Sequence, residues 1–256
     1  MSRIGFIGTG HIAAPMARAL ARDGHQVIVS HRNAEVAAAL VAEFANITMA
    51  DNQAVVDGAE ILFLCLRPPV APGVLAEIAF RADQQVVSVM SGVSMDVLQG
   101  LCAPATDICM SIPLGYLEAG GCPLAVFPHG DVLSPLFGAA NPIIPVASEA
   151  ALNQHFAICA FVPGVLDLMA TAAGWLGDQT GDQDAAAHYT SQIVAGFLAA
   201  MPREKAGRLE YERDALATDG TLSLQMVTAL RARADGDAHD ALIAALDGIK
   251  ERLEQA

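Results

Sequence analysis

The sequence predicts an α/β protein, with a doubly wound parallel sheet followed by an all-helical second domain. Short apolar runs alternate with helical segments over the first part of the chain, as they do in parallel βαβ units. The first run, Ile4 to Gly8, ends in glycine and leads into an alanine-rich helical segment from His11 to Arg22. From Glu149 onward the pattern changes to long helices with an apolar period. We therefore expect one domain over residues 1–148 and a second over 149–256.

The individual elements follow from the same pattern. A second helix is predicted over Ala34 to Phe44. Further strands are predicted at Gln26 to Ser30, Ile47 to Met49, Ile61 to Leu66, Val86 to Met90, Ile108 to Ile112, Leu124 to Phe127 and Ile143 to Val146. The last two lie in a stretch rich in Gly and Pro, and we expect them to complete the sheet. The second domain is predicted to contain helices at Ala150 to Ile158, Val165 to Leu176, Ala185 to Met201 and Asp240 to Glu254.

Composition and charge exclude several classes of function. The 256 residues are 54% hydrophobic and 16% charged, which excludes a disordered chain or a coiled coil. The formal net charge of −14 opposes binding to nucleic acid or to an anionic membrane. The chain contains no lysine or arginine between Arg81 and Arg203. This gap excludes a mechanism that needs a catalytic lysine in the middle of the chain.

Compartment and metal content are also predicted from composition. The mean hydropathy of +0.42 is high, but the longest uncharged stretch, Ala185 to Pro202, is too polar for a membrane-spanning helix. The five cysteines are odd in number and lack CxxC spacing, so we expect neither disulfides nor a metal site. We expect a cytoplasmic protein without a membrane partner, whose excess hydrophobicity forms the interface of a homodimer or higher homo-oligomer.

A glycine motif follows the first predicted strand. Residues 8–13 read Gly-Thr-Gly-His-Ile-Ala and fit the pattern G-x-G-x-x-A. Gly8 permits the tight turn, and Gly10 lets the backbone approach a pyrophosphate at the helix N-terminus. His11 and Ile12 lie in the same turn and are further candidates for cofactor contact. The strand–turn–helix context predicts a Rossmann domain that binds a dinucleotide.

The end of the second strand predicts which dinucleotide. NAD sites place an acidic residue there to bind the ribose hydroxyls, but residues 30–33 read Ser-His-Arg-Asn. Ser30 can donate a hydroxyl hydrogen bond, and Arg32 can bind a 2′-phosphate with its planar fork. The alternative is that Arg32 is a solvated loop residue. The pattern favours NADP(H) as the cofactor.

Two more loops are expected at the same edge of the sheet. Leu66, Arg67 and Pro68 follow the strand that begins at Ile61, and ligands of open α/β folds bind where such strands end. Pro68 fixes this loop so that its backbone can line the cofactor. Arg67 is equally compatible with a surface position. Ser91 follows the strand at Val86 to Met90 and could face the nicotinamide.

These motifs, in this order, resemble the pyrroline-5-carboxylate reductase family. Gly5 to Ala13 matches its opening, the pair Ser30 and Arg32 matches its second strand, and residues 66–68 match its V-K-P turn. Residues 87–94 resemble its S-x-x-A-G-(I/V)-S segment, and residues 214–223 align with its D-x-V-T-S-P-G-G-T-T signature. The resemblance implies reduction of a cyclic imine by NADPH in proline biosynthesis, and a helical domain that dimerises.

The sequence departs from that family at several positions. The family's M-P-N-T-P segment is matched only by Met110-Ser111-Ile112-Pro113, which lacks the asparagine. The late signature has lost its proline and its second glycine. The fold and cofactor therefore carry over better than the substrate does. A catalytically silent NADP-binding regulator is the alternative.

Three residues are candidates for the chemistry of the second domain. Backbone N–H groups after Gly220 could hold a substrate carboxylate, aided by Thr221 and Ser223. Ser223 is the candidate hydrogen-bonding group, with an ordinary helix N-cap as the alternative. Gly5 to Leu20 also resembles β-hydroxyacid dehydrogenases, whose chemistry uses a lysine on the first helix after the Rossmann domain. Here Asp167 lies in that helix, as some imine reductases tolerate, and it would be a proton donor if desolvated; a helix-surface aspartate is the alternative.

Overall fold

The computed structural model describes residues 1–201, 207–231 and 238–255, which form two compact units. The first unit comprises Met1–Phe156 with the chain from Lys250 onward, and the second comprises Ala157–Ile249. The division falls within a helix, Glu149–Cys159, whose start coincides with the predicted boundary at 148–149. Its first turns belong with the sheet because Leu152 is fully buried and the Glu149 carboxylate accepts the backbone N–H of Met95 at 3.3 Å.

The first unit is built on an eight-stranded sheet with the order β3-β2-β1-β4-β5-β6-β7-β8. The strands are β1 Arg3–Ile7, β2 Gln26–Ser30, β3 Ile47–Ala50, β4 Ile61–Leu64, β5 Gln85–Ser88, β6 Asp107–Ser111, β7 Leu124–Phe127 and β8 Ile143–Pro145. Its helices are α1 Ala13–Arg22, α2 Ala34–Glu43, α3 Asn52–Gly58, α4 Ala71–Leu75, α5 Met95–Leu101 and α6 Leu133–Phe137, and α7 is Glu149–Cys159. Every predicted strand forms, and each bound lies within two residues of the expected one.

The last part of the sheet differs from an all-parallel arrangement. Strands β1 to β6 pair in parallel, but β7 pairs with β6 antiparallel. The connection between these two strands holds only the single 3-10 turn Leu117–Ala119, so no crossover helix carries the chain back to a parallel start. Helix α6 then supplies such a crossover, and β8 pairs parallel to β7.

The core fixes the centre of the sheet, where β1 and β4 lie side by side. The rings of Phe6 and Phe63, on these two strands, stack with centroids 5.0 Å apart. Met16 and Leu20 of α1 are fully buried in the same cluster. The strand order reverses between β1 and β4, and the crevice at the carboxyl ends of such strands is where open α/β sheets bind ligands.

The second unit consists of helices. They are α8 Phe161–Thr180, α9 Gln183–Ala200, α10 Arg208–Leu216, α11 Leu222–Arg231 and α12 Ala238–Glu254, the last of which continues into the first unit. Helices α8 and α9 pack against each other. The turn between them uses Gly181 at φ +76°, and the Asp182 carboxylate caps α9 by accepting the N–H of Ala185 at 2.9 Å. This unit exposes large apolar side chains, including Leu168, Trp175 and Leu222.

One helical stretch bears on the prediction that no helix spans a membrane. Of the described residues, Glu149–Thr180 forms a stretch long and apolar enough to cross a membrane by length and composition, with a mean hydropathy of 1.8 in its best window. Only 6% of that window is buried. The expectation from sequence rested on the longest uncharged stretch, residues 185–202, and therefore did not cover this one, which contains Asp167. The core helices of soluble proteins can have the same length and composition.

Candidate dinucleotide-binding site

A cleft of about 540 Å³ lies at the carboxyl ends of β1, β4 and β5. The loops after β1, β2, β4 and β5 line it, through residues 8–13, 32–33, 65–68, 70 and 89–91. None of the described residues that line it is acidic, although the chain carries a net charge of −14. The cleft is therefore a local departure from the acidic surface of the protein, suited to an anionic ligand.

The two glycines of the turn are required for different reasons. Gly8 has φ +94°, and a Cβ on it would lie 2.6 Å from the carbonyl oxygen of Cys65. The fold itself therefore demands glycine there. A Cβ on Gly10 would meet no protein atom within 4 Å. Packing within the chain does not require glycine at this position, and the open space beside it leaves room for a ligand to approach the backbone.

The N-terminus of α1 provides donors for a diphosphate. The backbone N–H groups of Gly10, His11 and Ile12 make no hydrogen bond with any residue that the structure describes. No side chain caps the helix, and its first turn holds no acidic residue. Orphan N–H groups at a helix start favour an anion, both as donors and through the helix dipole. The turn therefore fits the pyrophosphate of a dinucleotide.

Ser30 does not occupy the position that the sequence predicted for it. Its side chain is fully buried and does not line the cleft. Its Oγ accepts the backbone N–H of Gly8 at 2.9 Å, and its carbonyl oxygen accepts the hydroxyl of Thr9 at 2.7 Å. The structure therefore corrects the prediction that Ser30 bonds directly to the cofactor. Ser30 is the last residue of β2, and its hydrogen bonds are made instead with Gly8 and Thr9 of the turn that follows β1.

The arginines of the first 156 residues divide into two groups. Four of them form salt bridges with carboxylates, in the pairs Arg3–Glu60, Arg18–Glu43, Arg22–Glu118 and Arg81–Asp83. Arg32 and Arg67 are exposed, line the cleft and form no ion pair or side-chain hydrogen bond with the described residues. Arg32 and Arg67 lie at a cleft that no carboxylate lines, so both guanidinium groups are available to bind phosphate groups of a ligand.

The loops after β4 and β5 form the rest of the cleft as expected from the sequence. Leu66 is buried, and its Cδ2 would lie 3.2 Å from a Cβ on Gly8, so it supports the glycine turn as well as lining the cleft. Pro68 starts a 3-10 turn, in which the backbone N–H of Val70 donates to the Arg67 carbonyl at 3.0 Å. Ser91 is half-buried. Asn33, Cys65, Val70, Val89 and Met90 also line the cleft, although the sequence did not predict cofactor contact for any of them individually.

The buried thiols of Cys65, Cys102 and Cys109 are poor nucleophiles. Burial raises the pKa of the Cys65 thiol, which lines the cleft. Burial also raises the pKa of Cys102 to about 12, and the pKa of Cys109 to about 12 with the help of the Asp107 and Asp131 charges. These thiols stay protonated near neutral pH. Among the described residues, no group of three or more His, Cys, Asp or Glu side chains could hold a metal ion.

The start of α11 in the second unit holds two of the predicted catalytic residues. The Oγ1 of Thr221 accepts the N–H of Leu224 at 3.2 Å and donates to the carbonyl of Thr218 at 2.7 Å. Thr221 is therefore the N-cap, and the alternative that Ser223 caps this helix is wrong, because Ser223 lies one residue inside it. Ser223 is exposed. A cavity of about 570 Å³ lies beside Gly220 and Thr221.

These positions predict different effects of two substitutions. Thr221→Ala removes a helix cap, so we expect the free energy of unfolding to fall by about 1 kcal/mol. Ser223→Ala leaves the cap intact, so we expect no change in stability and a lower kcat/KM if this hydroxyl binds substrate. Thermal unfolding and steady-state kinetics of both variants measure the two effects. Equal loss of stability in both variants would contradict this assignment.

Asp167, the third catalytic candidate, lies on α8 and is exposed. Its backbone carbonyl accepts the Thr171 hydroxyl at 3.0 Å, and its carboxylate forms no ion pair with any described residue. Its side chain is therefore not desolvated in the single chain. Its catalytic role stays a prediction.

Comparison with known proteins supports the cofactor assignment and the sequence resemblance. Residues 3–92 match the family model described as "NADP oxidoreductase coenzyme F420-dependent". Pyrroline-5-carboxylate reductase 3 of Macaca fascicularis is 30% identical over 116 residues, which are 43% of this chain and 42% of that relative. The protein of the same name from Mus musculus is 26% identical over 239 residues, which cover 86% of this chain and 84% of the relative.

Solved structures of pyrroline-5-carboxylate reductases have the same fold as this chain. The pyrroline-5-carboxylate reductase of Streptococcus pyogenes superposes with a TM-score of 0.82 at 17% identity, over 100% of this chain and 99% of that one. This chain has the pyrroline-5-carboxylate reductase fold. The pyrroline carboxylate reductase of Plasmodium falciparum, solved with NADP bound, has a TM-score of 0.81 at 13% identity, over 99% and 97% of the two chains. The predicted resemblance to pyrroline-5-carboxylate reductases is confirmed. The description of the family model that matches residues 3–92 names an NADP oxidoreductase, in agreement with the predicted NADP(H) cofactor.

Proposed function

We propose that this protein is an NADPH-dependent reductase of the C=N bond of a cyclic imine. The observation that carries the proposal is the cleft at the β1/β4 crevice, where the N–H groups of residues 10–12, at the start of α1, line the same cleft as Arg32 and Arg67. Such a cleft fits both phosphate groups of NADPH: the diphosphate at residues 10–12 and the 2′-phosphate at Arg32. The similarity to pyrroline-5-carboxylate reductases over most of the chain supports the substrate class.

Reduction of an imine by NADPH requires few catalytic side chains. The cofactor supplies a hydride from C4 of its nicotinamide. The imine nitrogen must be protonated or hydrogen-bonded as it becomes an amine. A lysine beside it would oppose the positive charge of a protonated imine, and the stretch between Arg81 and Arg203 contains none. The absence of lysine there separates this chemistry from alcohol oxidation by a lysine-dependent dehydrogenase.

The substrate that we propose first is pyrroline-5-carboxylate, the compound after which the two relatives are named. Its carboxylate would be held by the N–H groups at the start of α11, close to Thr221, with Ser223 as the hydrogen-bonding side chain. The departures at Met110–Pro113 and in the late signature leave other cyclic imines as candidates.

Turnover with purified protein tests the proposal. We expect NADPH oxidation, followed at 340 nm, to depend on added pyrroline-5-carboxylate or on a cyclic imine without the carboxylate. The two substrates distinguish a carboxylate-binding site from a general imine site. Asp167→Asn should abolish turnover if this carboxyl is the proton donor and leave it unchanged if it is a surface residue.

A catalytically silent NADP-binding regulator is the second candidate. Two departures from the family pattern favour it: the missing asparagine at Met110–Pro113 and the loss of the second glycine of the late signature. Tight NADPH binding, with no oxidation by any cyclic imine tested, would support the regulator and overturn the reductase.

We also propose that the exposed apolar face of the second unit is covered by a second copy of the chain. Its helices expose Trp175, Leu168 and Leu222 by 65%, 65% and 85%. Large apolar side chains exposed to this extent are typical of an interface, and the net charge of −14 opposes an anionic membrane as the alternative. Light scattering in the absence of detergent distinguishes the two. The predicted cytoplasmic location stays a prediction.

A further inference from the structure

Two hydroxyl side chains join the glycine turn to the end of β2. Thr9, the variable residue between the two glycines, is 3% exposed, and Ser30 is fully buried. Ser30 Oγ accepts the N–H of Gly8 at 2.9 Å, Thr9 Oγ1 donates to the Ser30 carbonyl at 2.7 Å, and the two hydroxyl oxygens lie 3.4 Å apart. The turn and the strand end are thus held together by side-chain hydrogen bonds in addition to the sheet.

We propose that Thr9 and Ser30 are positioning residues that fix the diphosphate-binding turn relative to the 2′-phosphate-binding arginine. This inference rests on the proposed function only in that the cleft binds a dinucleotide. Ser30 ends β2, and Arg32 follows two residues later in the loop that lines the cleft. The hydrogen bonds therefore span the two places where the cofactor carries phosphate.

The geometry favours positioning over direct binding. Ser30 is outside the cleft lining, and its Oγ already accepts the N–H of Gly8. That bond also holds Gly8 in its left-handed conformation at φ +94°, from which residues 10–12 present their free N–H groups. The Thr9 hydroxyl is turned inward to Ser30 and is not free to bind a phosphate. Loss of either hydroxyl would loosen the turn on which any dinucleotide depends.

The expected effect is therefore the same for NADPH and NADH. In Ser30→Ala and Thr9→Val, we expect the Kd of both nucleotides to rise by about five- to thirtyfold, and by the same factor for each. Thr9→Ser keeps the hydroxyl and should restore binding to within about twofold of the original. The double variant should lose less than the product of the single effects, because the two side chains form one unit.

Ser111→Ala is the matched control. Ser111 is also a buried serine at the end of a strand, and its Oγ donates to the carbonyl of Ala125 at 2.9 Å, but it lies outside the cleft lining. It should lower the thermal midpoint about as much as Ser30→Ala and leave both Kd values unchanged. Isothermal titration without substrate gives the Kd values, so the measurement does not depend on turnover.

Each outcome decides the inference. A change in the NADPH to NADH affinity ratio on Ser30→Ala would show that Ser30 contacts the 2′-phosphate and would overturn it. Unchanged Kd values in Ser30→Ala and Thr9→Val, with lowered thermal midpoints, would show a structural role only and would also overturn it. If Ser30→Ala does not fold, the comparison of Thr9→Val with Thr9→Ser decides. Absence of turnover with equal losses of nucleotide binding would reject the reductase and support the positioning role.

Discussion

In an Arg32→Ala variant, NADPH is expected to bind about 30-fold more weakly while NADH binds as before. A hydrogen-bonded contact between a guanidinium and a phosphate contributes about 2 kcal/mol, which corresponds to this factor. Arg32 has no partner among the described residues, so its removal leaves no carboxylate unpaired in the protein. The change in affinity therefore reports the contact with the cofactor. Titration calorimetry with both nucleotides measures it.

Arg3→Ala is the control for this experiment. Arg3 is also a surface arginine of the first unit, but it is paired with Glu60 at 3.1 Å and lies outside the cleft lining. Its removal should leave the affinity for both nucleotides unchanged. If Arg32→Ala weakens NADPH and NADH equally, Arg32 does not bind the 2′-phosphate, and the preference for NADP(H) must have another source.

A Gly10→Ala variant is expected to fold normally and to lose at least about 100-fold in affinity for both nucleotides. The new methyl group meets no protein atom within 4 Å, so stability should not fall. It would, however, occupy the space through which a pyrophosphate reaches the backbone N–H groups of the turn. Thermal unfolding and nucleotide titration on one preparation separate these two effects.

Two other glycines provide controls of opposite kinds. Gly8→Ala should be destabilised by about 3 kcal/mol or more, since the Cβ would lie 2.6 Å from the Cys65 oxygen at φ +94°. Gly100→Ala in α5 also places a methyl group in open space, but away from the cleft, and should bind both nucleotides normally. Tight nucleotide binding by Gly10→Ala would contradict the assignment of the diphosphate to this turn.

Much of the fold could be predicted because hydrophobic pattern and local turn residues carry it. β2 and β7 have the predicted bounds, and the strand–glycine–helix sequence placed the turn correctly. The direction of β7 was not predictable from its own residues, since an apolar run does not encode its direction. β7 is antiparallel because the connection from β6 to β7 contains no crossover helix that could carry the chain back to the start of a parallel strand.

The candidate site was predictable where loops follow strands. Gly8, Gly10, Arg32 and Arg67 come together because parallel strands end at one edge of the sheet. The side to which the Ser30 hydroxyl points was not predictable, because it depends on the register between β2 and β1. For the same reason Thr9, a variable position of the motif, gave no signal of its own.

The sequence by itself determined the class of fold, the dinucleotide turn, the lack of an acidic residue at the end of β2 and the stretch without lysine. These features are local, or are counts along the chain. Only the tertiary structure decided which arginines of the first 156 residues lack a carboxylate partner among the described residues. It also decided that packing requires glycine at position 8 but leaves open space beside Gly10, and that Ser30 bonds to the turn. Each of these depends on contacts between residues far apart in the chain, such as Gly8 with Cys65 or Arg18 with Glu43. Side-chain type and spacing do not specify such contacts until the sheet has brought the strands together.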